Sequence, residues 1–249
     1  MTENPVAEIG ALDGIIDLLL FDQNTGDNII WADVNRSNPT APIETCDVFL
    51  IEPRFMKERE RQSKRTRERA EVFTPPDICR LQNNLILKHW LDQPLEQFID
   101  AKFLEIACGE APYIVSRYNV VDGTPIAPED RVGLLDRKLQ SLNRHVDSQS
   151  RWIELARRSF QSVYGYEFQG DNLLIARCNL FLTAEEFYCQ KFRAELPYNF
   201  LLELTEIITW NFFQYDGINH CRPFDEHGTG LFNECLIKNW STGETVSFP

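Results

Sequence analysis

The chain has 249 residues, of which 43% are hydrophobic and 12% aromatic, and its formal net charge is −13. This length is enough for one sizeable α/β domain with a small appendage, and no apolar run approaches the ~18 residues that a membrane-spanning helix needs. The acidic balance argues against a protein that binds nucleic acid over its whole surface, although positive charge can still be concentrated on one face.

Residues 1–52 are predicted to form a small β-rich N-terminal module of unknown role. Apolar runs at 14–21, 28–33 and 47–51 are its strand candidates, and turn-like or proline-containing stretches separate them. A charged connector follows at residues 53–70, and we expect it to be helical in part.

Basic residues are concentrated in this connector, where three glutamates dilute them. One interpretation is a solvated, charged helix or linker, which is the commoner meaning of such a run. The other is an arm that contacts DNA phosphates beside a ligand pocket. In that case the contacting residues would be Arg61, Lys64, Arg65 and Arg67.

Residues 71–249 are interpreted as a single α/β domain. A helix is expected from Thr74 or Asp77 to about Trp90, because either residue is a good N-cap. The other predicted helices are 95–101, the amphipathic pair 132–146 and 149–160, and a long helix at 172–193 capped by Asp171. Two strand-like pieces at 234–240 and 244–248 end the domain.

Two predicted strands in this domain each end in a carboxylate. Residues 103–113 (FLEIACGEAPY) form an apolar strand that ends at Glu105 and turns at once through small residues. Small side chains let the backbone come close to a ligand, and Gly109 can adopt a positive φ there. A second strand, at 162–166, ends in Glu167, and an acid at the end of the second strand of an open α/β sheet is where ribose hydroxyls are held.

These segments resemble motifs of a known enzyme family. Residues 103–113 and 163–180 (VYGYEFQGDNLLIARCNL) are similar to motifs I and II of the class I S-adenosylmethionine-dependent methyltransferases. Residues 69–80 (RAEVFTPPDICR) resemble the FTP motif of DNA N6-adenine methyltransferases, and residues 204–217 resemble the strand that carries motif III. The order of the motifs is that of the restriction-type adenine enzymes, and the chain resembles their short members, commonly called restriction endonuclease subunit M.

The resemblance implies a Rossmann-like class I methyltransferase sheet flanked by helices, with S-adenosylmethionine as the cofactor. Glu105 would lie near the methionine moiety, Glu167 would accept both ribose hydroxyls, and Asp216 would lie near the cofactor's adenine, although Asp216 is equally well explained as a turn former. The full set of cofactor residues that it implies is Phe73, Thr74, Glu105, Ala107, Cys108, Gly109, Glu167 and Asp216. DNA and the subunits of a restriction system would be the partners.

The family's catalytic motif IV, an [Asp/Asn]-Pro-Pro-[Tyr/Phe] loop that holds the flipped adenine, has no clear counterpart after Asp216. Pro223 and Phe224 keep one proline and the aromatic, and they are the weak catalytic candidates. Two functions therefore stay open. One is a DNA adenine-N6 methyltransferase; the other is a catalytically deficient methyltransferase-like protein that acts by binding, for example as an accessory or anti-restriction factor with an acidic surface.

Cysteine and histidine placement favours a reduced, cytoplasmic protein. The seven cysteines have irregular spacing and no Cys-x-x-Cys pair, and the first 13 residues carry acids without the basic region of a secretory signal. Four residues near the C-terminus could suggest zinc, but their spacing matches no standard site, so we expect no metal. They are His220, Cys221, His227 and Cys235.

Overall fold

The computed structural model describes residues 4–10, 12, 14–33, 35–69, 74–90, 92–224 and 235–248. Its helices are α1 (Pro5–Gly10), α2 (Ile15–Leu20), α3 (Arg59–Arg69), α4 (Pro76–Leu87), α5 (Leu95–Asp100), α6 (Leu134–His145), α7 (Gln149–Gln161), α8 (Gly170–Phe192) and α9 (Tyr198–Asn211). Its strands are β1 (Phe21–Asp22), β2 (Asp27–Asn28), β3 (Phe103–Glu105), β4 (Val163–Glu167), β5 (Phe212–Gln214), β6 (Leu236–Lys238) and β7 (Thr245–Ser247). Short 3₁₀ turns lie at Thr45–Leu50, Arg54–Met56 and Pro128–Asp130.

A three-stranded parallel sheet forms the centre of the molecule, in the order β3-β4-β5. Helices α6 and α7 connect β3 to β4, and α8 and α9 connect β4 to β5. Because the connections between parallel strands are helical, the sheet is covered by helices and its strands are largely apolar. The predicted α/β class is confirmed, as are the two amphipathic helices and the long helix between the motif-bearing strands.

The N-terminal segment is wrongly predicted as β-rich. Most of the run at 14–21 forms helix α2 (Ile15–Leu20), whose buried residues Ile15, Ile16, Leu19 and Leu20 repeat at helical spacing. Residues 47–51 fall largely in a 3₁₀ turn. Of the candidate at 28–33, only Asn28 lies in a strand, as the second residue of β2, and Ile30 forms an isolated bridge. Apolar runs this short do not distinguish strand from helix. The segment shares one hydrophobic core with α8 and α9.

Residues 204–217 are also mostly helical rather than a strand. Leu204, Ile207, Ile208 and Asn211 are buried at a spacing of three and four, which is the period of α9. Only the three residues of β5 that follow are extended, and all three are buried. The carboxyl end of β5 still reaches the sheet edge where the motif III residues were expected.

The side chain of Gln214 ties the N-terminal segment to this sheet edge. Its amide accepts a hydrogen bond from the Ile30 N–H at 2.7 Å and donates to the Ile30 carbonyl at 2.9 Å and to that of Phe168 at 3.0 Å. Gly170 lies against the same carbonyl, since a Cβ at this position would be 2.0 Å from the Ile30 oxygen. The segment thus packs directly onto the first turn of α8, beside the ends of β4 and β5.

Lys138 is a fully buried cation at the opposite, amino end of the sheet. Its Nζ donates hydrogen bonds to the carbonyls of Ile99 and Ala101 at 2.8 and 2.6 Å and to the Ser162 hydroxyl at 2.5 Å. These bonds join the end of α5 to the residue before β4. Burial lowers the pKa of Lys138 to about 7, although Asp100 partly opposes this effect.

This lowered pKa predicts a specific dependence of stability on pH. Between a folded pKa of about 7 and the ordinary lysine value near 10.4, the unfolded chain binds more protons than the native protein, so stability due to this group rises with pH. Relative to Lys138→Met, we expect the free energy of unfolding of the native protein to gain on the order of 3 kcal/mol between pH 6 and pH 10. Chemical denaturation at several pH values measures it.

The exposed neighbour Lys102 supplies the control for this prediction. Lys102→Met should differ from the native protein by an amount that does not change with pH. A difference between the native protein and Lys138→Met that is constant from pH 6 to pH 10 would contradict the assignment.

Candidate functional site

Glu105 and Glu167 end two adjacent parallel strands. Glu105 is the last residue of β3 and is paired in register with Gly165 of β4, while Glu167 lies two residues further along β4. Side chains two residues apart in a strand share a face, so both carboxylates and Gly165 are on the same face of the sheet. Gly165 adds no side chain between them, and a Cβ there would meet the Phe212 ring at 2.6 Å.

The Glu105 carboxyl is incompletely satisfied. Its Oε1 accepts a long hydrogen bond, 3.4 Å, from the Tyr113 amide, and its Oε2 is buried with no partner among the described residues. Burial raises the pKa of Glu105 well above its usual range, and the nearby Glu167 raises it further. A buried carboxyl of this kind favours either a proton or a cationic ligand.

Glu167 is held by the two loops that it joins. Its Oε2 accepts the Gly109 N–H at 2.8 Å and its Oε1 accepts the Gln169 N–H at 3.1 Å, so the turn after β3 is fixed against the turn after β4. The residue is 8% exposed. A carboxylate oxygen can accept more than one hydrogen bond, so Glu167 has the chemistry of a hydroxyl acceptor.

The turn after β3 contains several residues with a positive φ. Gly109 adopts a positive φ of 56°, as its sequence position predicts, and Ala107 and Ala111 also lie in the left-handed region, with φ of 50° and 61°. Non-glycine residues rarely adopt this region. The turn is anchored by the Cys108 N–H, which donates to the Tyr166 carbonyl at 2.8 Å.

A cavity of about 410 Å³ opens above the two carboxylates. Its floor is the turn after β3, and its opposite wall comes from α4 and from Thr74, two residues before that helix. Its wall and rim include Thr74, Asn83, Ile86 and Tyr113. The Asn83 side chain donates to two carbonyls, while its Oδ1 is buried without a partner among the described residues. This volume is in the range of small-ligand pockets, ~300–1,000 Å³.

A second cavity of about 490 Å³ adjoins the first and is rich in aromatic side chains. The two cavities share Ile106, Ala107, Glu167 and Gln169. The lining peculiar to the second includes Tyr166, Phe168, Tyr215, Asp216 and Ile218. Glu167 therefore lies between a polar cavity and an aromatic one, which is the arrangement that a nucleoside requires: hydroxyl acceptors at the sugar and flat apolar surfaces at the base.

Asp216 lines the aromatic cavity and also forms a turn. Its Oδ1 accepts the amides of Ile218 and Asn219 at 2.9 and 3.1 Å, and its Oδ2 accepts the Asn219 side-chain amide at 2.8 Å. Burial opposes ionisation, but these hydrogen bonds hold the pKa of Asp216 below its usual value. The role of turn former accounts for the hydrogen bonds of Asp216. Its position in the cavity lining is also compatible with a role in binding a ligand.

Of the remaining residues in the predicted cofactor set, Cys108 and Ala107 lie in the turn and Thr74 lines the first cavity. Phe73 lies outside the described residues. Burial, together with Glu105 and Glu167, raises the pKa of Cys108 well above its usual range, which keeps it a protonated thiol and makes it a poor nucleophile.

The basic connector is only partly a surface feature. Lys57 and Arg65 are buried and pair with Asp171 in the first turn of α8, Arg65 at 2.8 Å and Lys57 at 3.4 Å. Although burial opposes it, these two cations hold the pKa of Asp171 below its usual value. Asp171 is thus an ion-pair partner of the connector rather than the predicted N-cap, because helix α8 begins one residue earlier.

This pairing removes Arg65 from the predicted phosphate-contacting arm. Lys64 and Arg67 are exposed on α3, and the side chain of Arg61 lies outside the part of the chain that the structure describes.

The two catalytic candidates, Pro223 and Phe224, do not lie in an exposed loop. Pro223 is buried, and the half-buried Phe224, with a φ of 66°, packs edge-on against Phe168 at a centroid distance of 5.5 Å. Phe224 therefore contacts a residue of the aromatic cavity instead of offering a free ring. His227, of the residues weighed as zinc ligands, lies outside the described residues. Within the described ranges no three His, Cys, Asp or Glu side chains converge as a metal site.

Sequence reasoning missed Phe168 and Tyr215 as site residues. Phe168 directly follows Glu167 at the strand end, and this adjacency was the available signal. Tyr215 follows an aromatic run in a strand, where side chains alternate between the two faces of the sheet, so its sequence position favours a core residue. Its ring packs in the core and still borders the cavity.

Comparison with known proteins found no match to a family model, to a curated protein or to a solved structure. Within the described ranges, none of the helices combines the length and apolar character needed to cross a lipid bilayer.

Proposed function

We propose that this protein binds S-adenosylmethionine at the carboxyl edge of β3 and β4 and acts as a methyltransferase-like protein on DNA, in the manner of the restriction-type adenine-N6 enzymes. The observation that carries the proposal is the pair Glu105 and Glu167. They lie on adjacent strands and face two joined cavities, one of them aromatic. The resemblance of residues 103–113 and 163–180 to motifs I and II agrees with this placement.

The charge of the site favours this cofactor over a dinucleotide. Two neighbouring carboxylates in a buried place repel each other and repel an anion. S-adenosylmethionine carries a sulfonium and an ammonium group, which would offset both charges, whereas the pyrophosphate of a nicotinamide dinucleotide would add negative charge. In the proposed pose Glu167 accepts the ribose hydroxyls, the adenine enters the aromatic cavity near Phe168, and the methionine ammonium approaches the unpartnered Oε2 of Glu105.

A second candidate function is binding without methyl transfer. In-line transfer needs hydrogen-bond acceptors that position the adenine amino group of DNA, together with a free aromatic ring. The buried Pro223 and the Phe224 ring that packs on Phe168 do not offer these groups. This observation favours an accessory or anti-restriction protein that keeps the cofactor pocket and acts through its acidic surface.

Calorimetric titration with S-adenosylmethionine tests the proposal, with NAD⁺ as the comparison ligand. We expect the methyl donor to bind and NAD⁺ not to bind. Absence of binding at millimolar S-adenosylmethionine would overturn the cofactor assignment. A methyl-transfer assay on adenine-containing DNA then separates the two functions, because binding without transfer supports the second and measurable transfer supports the first.

A further inference from the structure

A groove of about 560 Å³ between α4 and α6 is lined by cations in a chain whose net charge is −13. Lys88, at the end of α4, faces Arg137, Arg144 and His145 of α6, and the Trp90 indole lies on the same lining. Carboxylate side chains are absent from the described lining of this groove. The groove is thus a positively charged site on a protein whose net charge is negative.

The cations of this groove lack the acidic partners that several basic residues of the surface have. Elsewhere on the described surface, Arg151 and Arg158 pair with Glu96, Arg157 with Glu203, Lys191 with Asp147, and Lys238 with Glu206. Within the described residues, neither Lys88, Arg137 nor Arg144 forms an ion pair. Burial lowers the pKa of Arg137, and the like charges of Arg80 and Arg144 lower it further, although Asp136 opposes them. Cations crowded in this way, without an ion-pair partner, favour an anionic ligand.

We propose that this groove binds the phosphodiester backbone of a nucleic acid strand. Arg137 and Arg144 are seven residues apart on one helix, a rise of about 10 Å at ~1.5 Å per residue. A DNA strand presents a phosphate about every 3.4 Å of helix axis, so this length spans roughly three phosphates. An isolated phosphate would need cations that converge on one point, whereas Arg137 and Arg144 are spaced two turns apart along α6.

The groove lies across α4 from the cofactor cavity. Asn83 and Ile86 of this helix line the cavity, and Asn84 and Leu87 line the groove. A strand bound there would run alongside the cofactor pocket, which suits a protein that acts on DNA. The proposal shares its DNA partner with the proposed function, but it requires neither the methyl donor nor methyl transfer.

Fluorescence anisotropy of labelled single- and double-stranded oligonucleotides, measured between 50 and 200 mM salt, tests the groove. The variant is Lys88→Gln/Arg144→Gln, since both side chains are exposed and replaceable without loss of a described hydrogen bond. We expect about a tenfold weaker affinity near 0.1 M salt and a salt slope lower by roughly 1.4 to 1.8, because two phosphate contacts are removed. The control, Lys102→Gln/Arg193→Gln, removes the same charge from exposed positions that do not line the groove and should change the affinity less than about twofold.

Three outcomes would overturn the proposal. The first is that the native protein binds no oligonucleotide at 50 mM salt, and the second is that the two double variants lose equal amounts of oligonucleotide affinity. The third is that inorganic phosphate protects the protein against thermal unfolding through Lys88 and Arg144 while oligonucleotides do not bind. Titration of Lys88→Gln/Arg144→Gln with S-adenosylmethionine keeps the two proposals apart. This variant should bind S-adenosylmethionine as tightly as the native protein does. The oligonucleotide titrations therefore test the groove alone, and the S-adenosylmethionine titration tests the cofactor pocket alone.

Discussion

Replacing Glu167 with glutamine is expected to weaken the binding of S-adenosylmethionine by at least about 100-fold, since two charge-assisted hydrogen bonds to the ribose, each worth ~1.5–3 kcal/mol, are lost or weakened. The carboxylate already accepts the amides of Gly109 and Gln169. An amide side chain would present a donor to one of these N–H groups, so the turn after β3 would also lose its anchor. Calorimetric titration measures the loss of affinity, and thermal denaturation reports on the turn.

Glu105→Gln is the matched control, because it makes the same isosteric change one strand away. The neutral amide imitates the protonated form that burial favours, so this variant should fold at least as stably as the native protein. Its affinity for the cofactor should fall by only about tenfold, through the loss of one charge-assisted contact to the ammonium group.

Proton release on cofactor binding is a second quantity that distinguishes the native protein from Glu105→Gln. Burial favours the protonated form of the Glu105 carboxyl in the free protein, whereas an ammonium group beside it favours the ionised form. Calorimetry in two buffers of different ionisation enthalpy should therefore detect proton release with the native protein and not with Glu105→Gln. Native-like cofactor affinity in Glu167→Gln would sink the nucleoside pose.

Replacing Arg177 with methionine is expected to destabilise the protein by about 3–5 kcal/mol. Arg177 is fully buried, and its guanidinium donates to the carbonyls of Leu19, Phe21, Thr209 and Phe212, at distances of 2.6 to 3.4 Å. Burial lowers its pKa to about 10, so it remains charged at neutral pH. It joins the ends of α2 and α9 to β5, and its removal leaves buried carbonyl oxygens without donors.

Denaturant unfolding at neutral pH measures this change, with Arg151→Met as the control. Arg151 is a partly exposed arginine that pairs with Glu96 and Glu154 at the surface. Exposed pairs contribute little, so its replacement should cost less than about 1 kcal/mol. A loss of stability below ~1 kcal/mol in Arg177→Met would show that other donors or water replace the guanidinium.

The long amphipathic helices of this protein could be predicted from the sequence because their apolar period is sustained over three turns or more. Helices α6 and α7 begin and end within about two residues of the predicted 132–146 and 149–160. The short apolar runs at 14–21 and 204–211 could not be assigned in this way, and both proved helical. In these runs the choice was made by burial against α8 and its neighbours, not by local preference.

The carboxylates of the candidate site were predictable for a different reason. Glu105 and Glu167 each end a short strand and precede a turn, and parallel strands of one sheet bring their carboxyl ends to the same edge. The aromatic lining was less accessible to sequence reasoning, because Tyr215 reaches the cavity from β5 and Phe224 returns to Phe168 from the following loop.

The sequence by itself determined the chemistry at the two strand ends, since a carboxylate followed by small residues restricts what a sheet edge can hold. Tertiary structure alone decided which cations are free. Two cations of the basic run at 53–70, Lys57 and Arg65, are buried against Asp171. Lys88, Arg137 and Arg144 come from helices about 50 residues apart in the chain, and they line one groove without forming ion pairs among the described residues. The physical reason is that the energy of a charge depends on its burial and its partners, and both are set by contacts between distant residues.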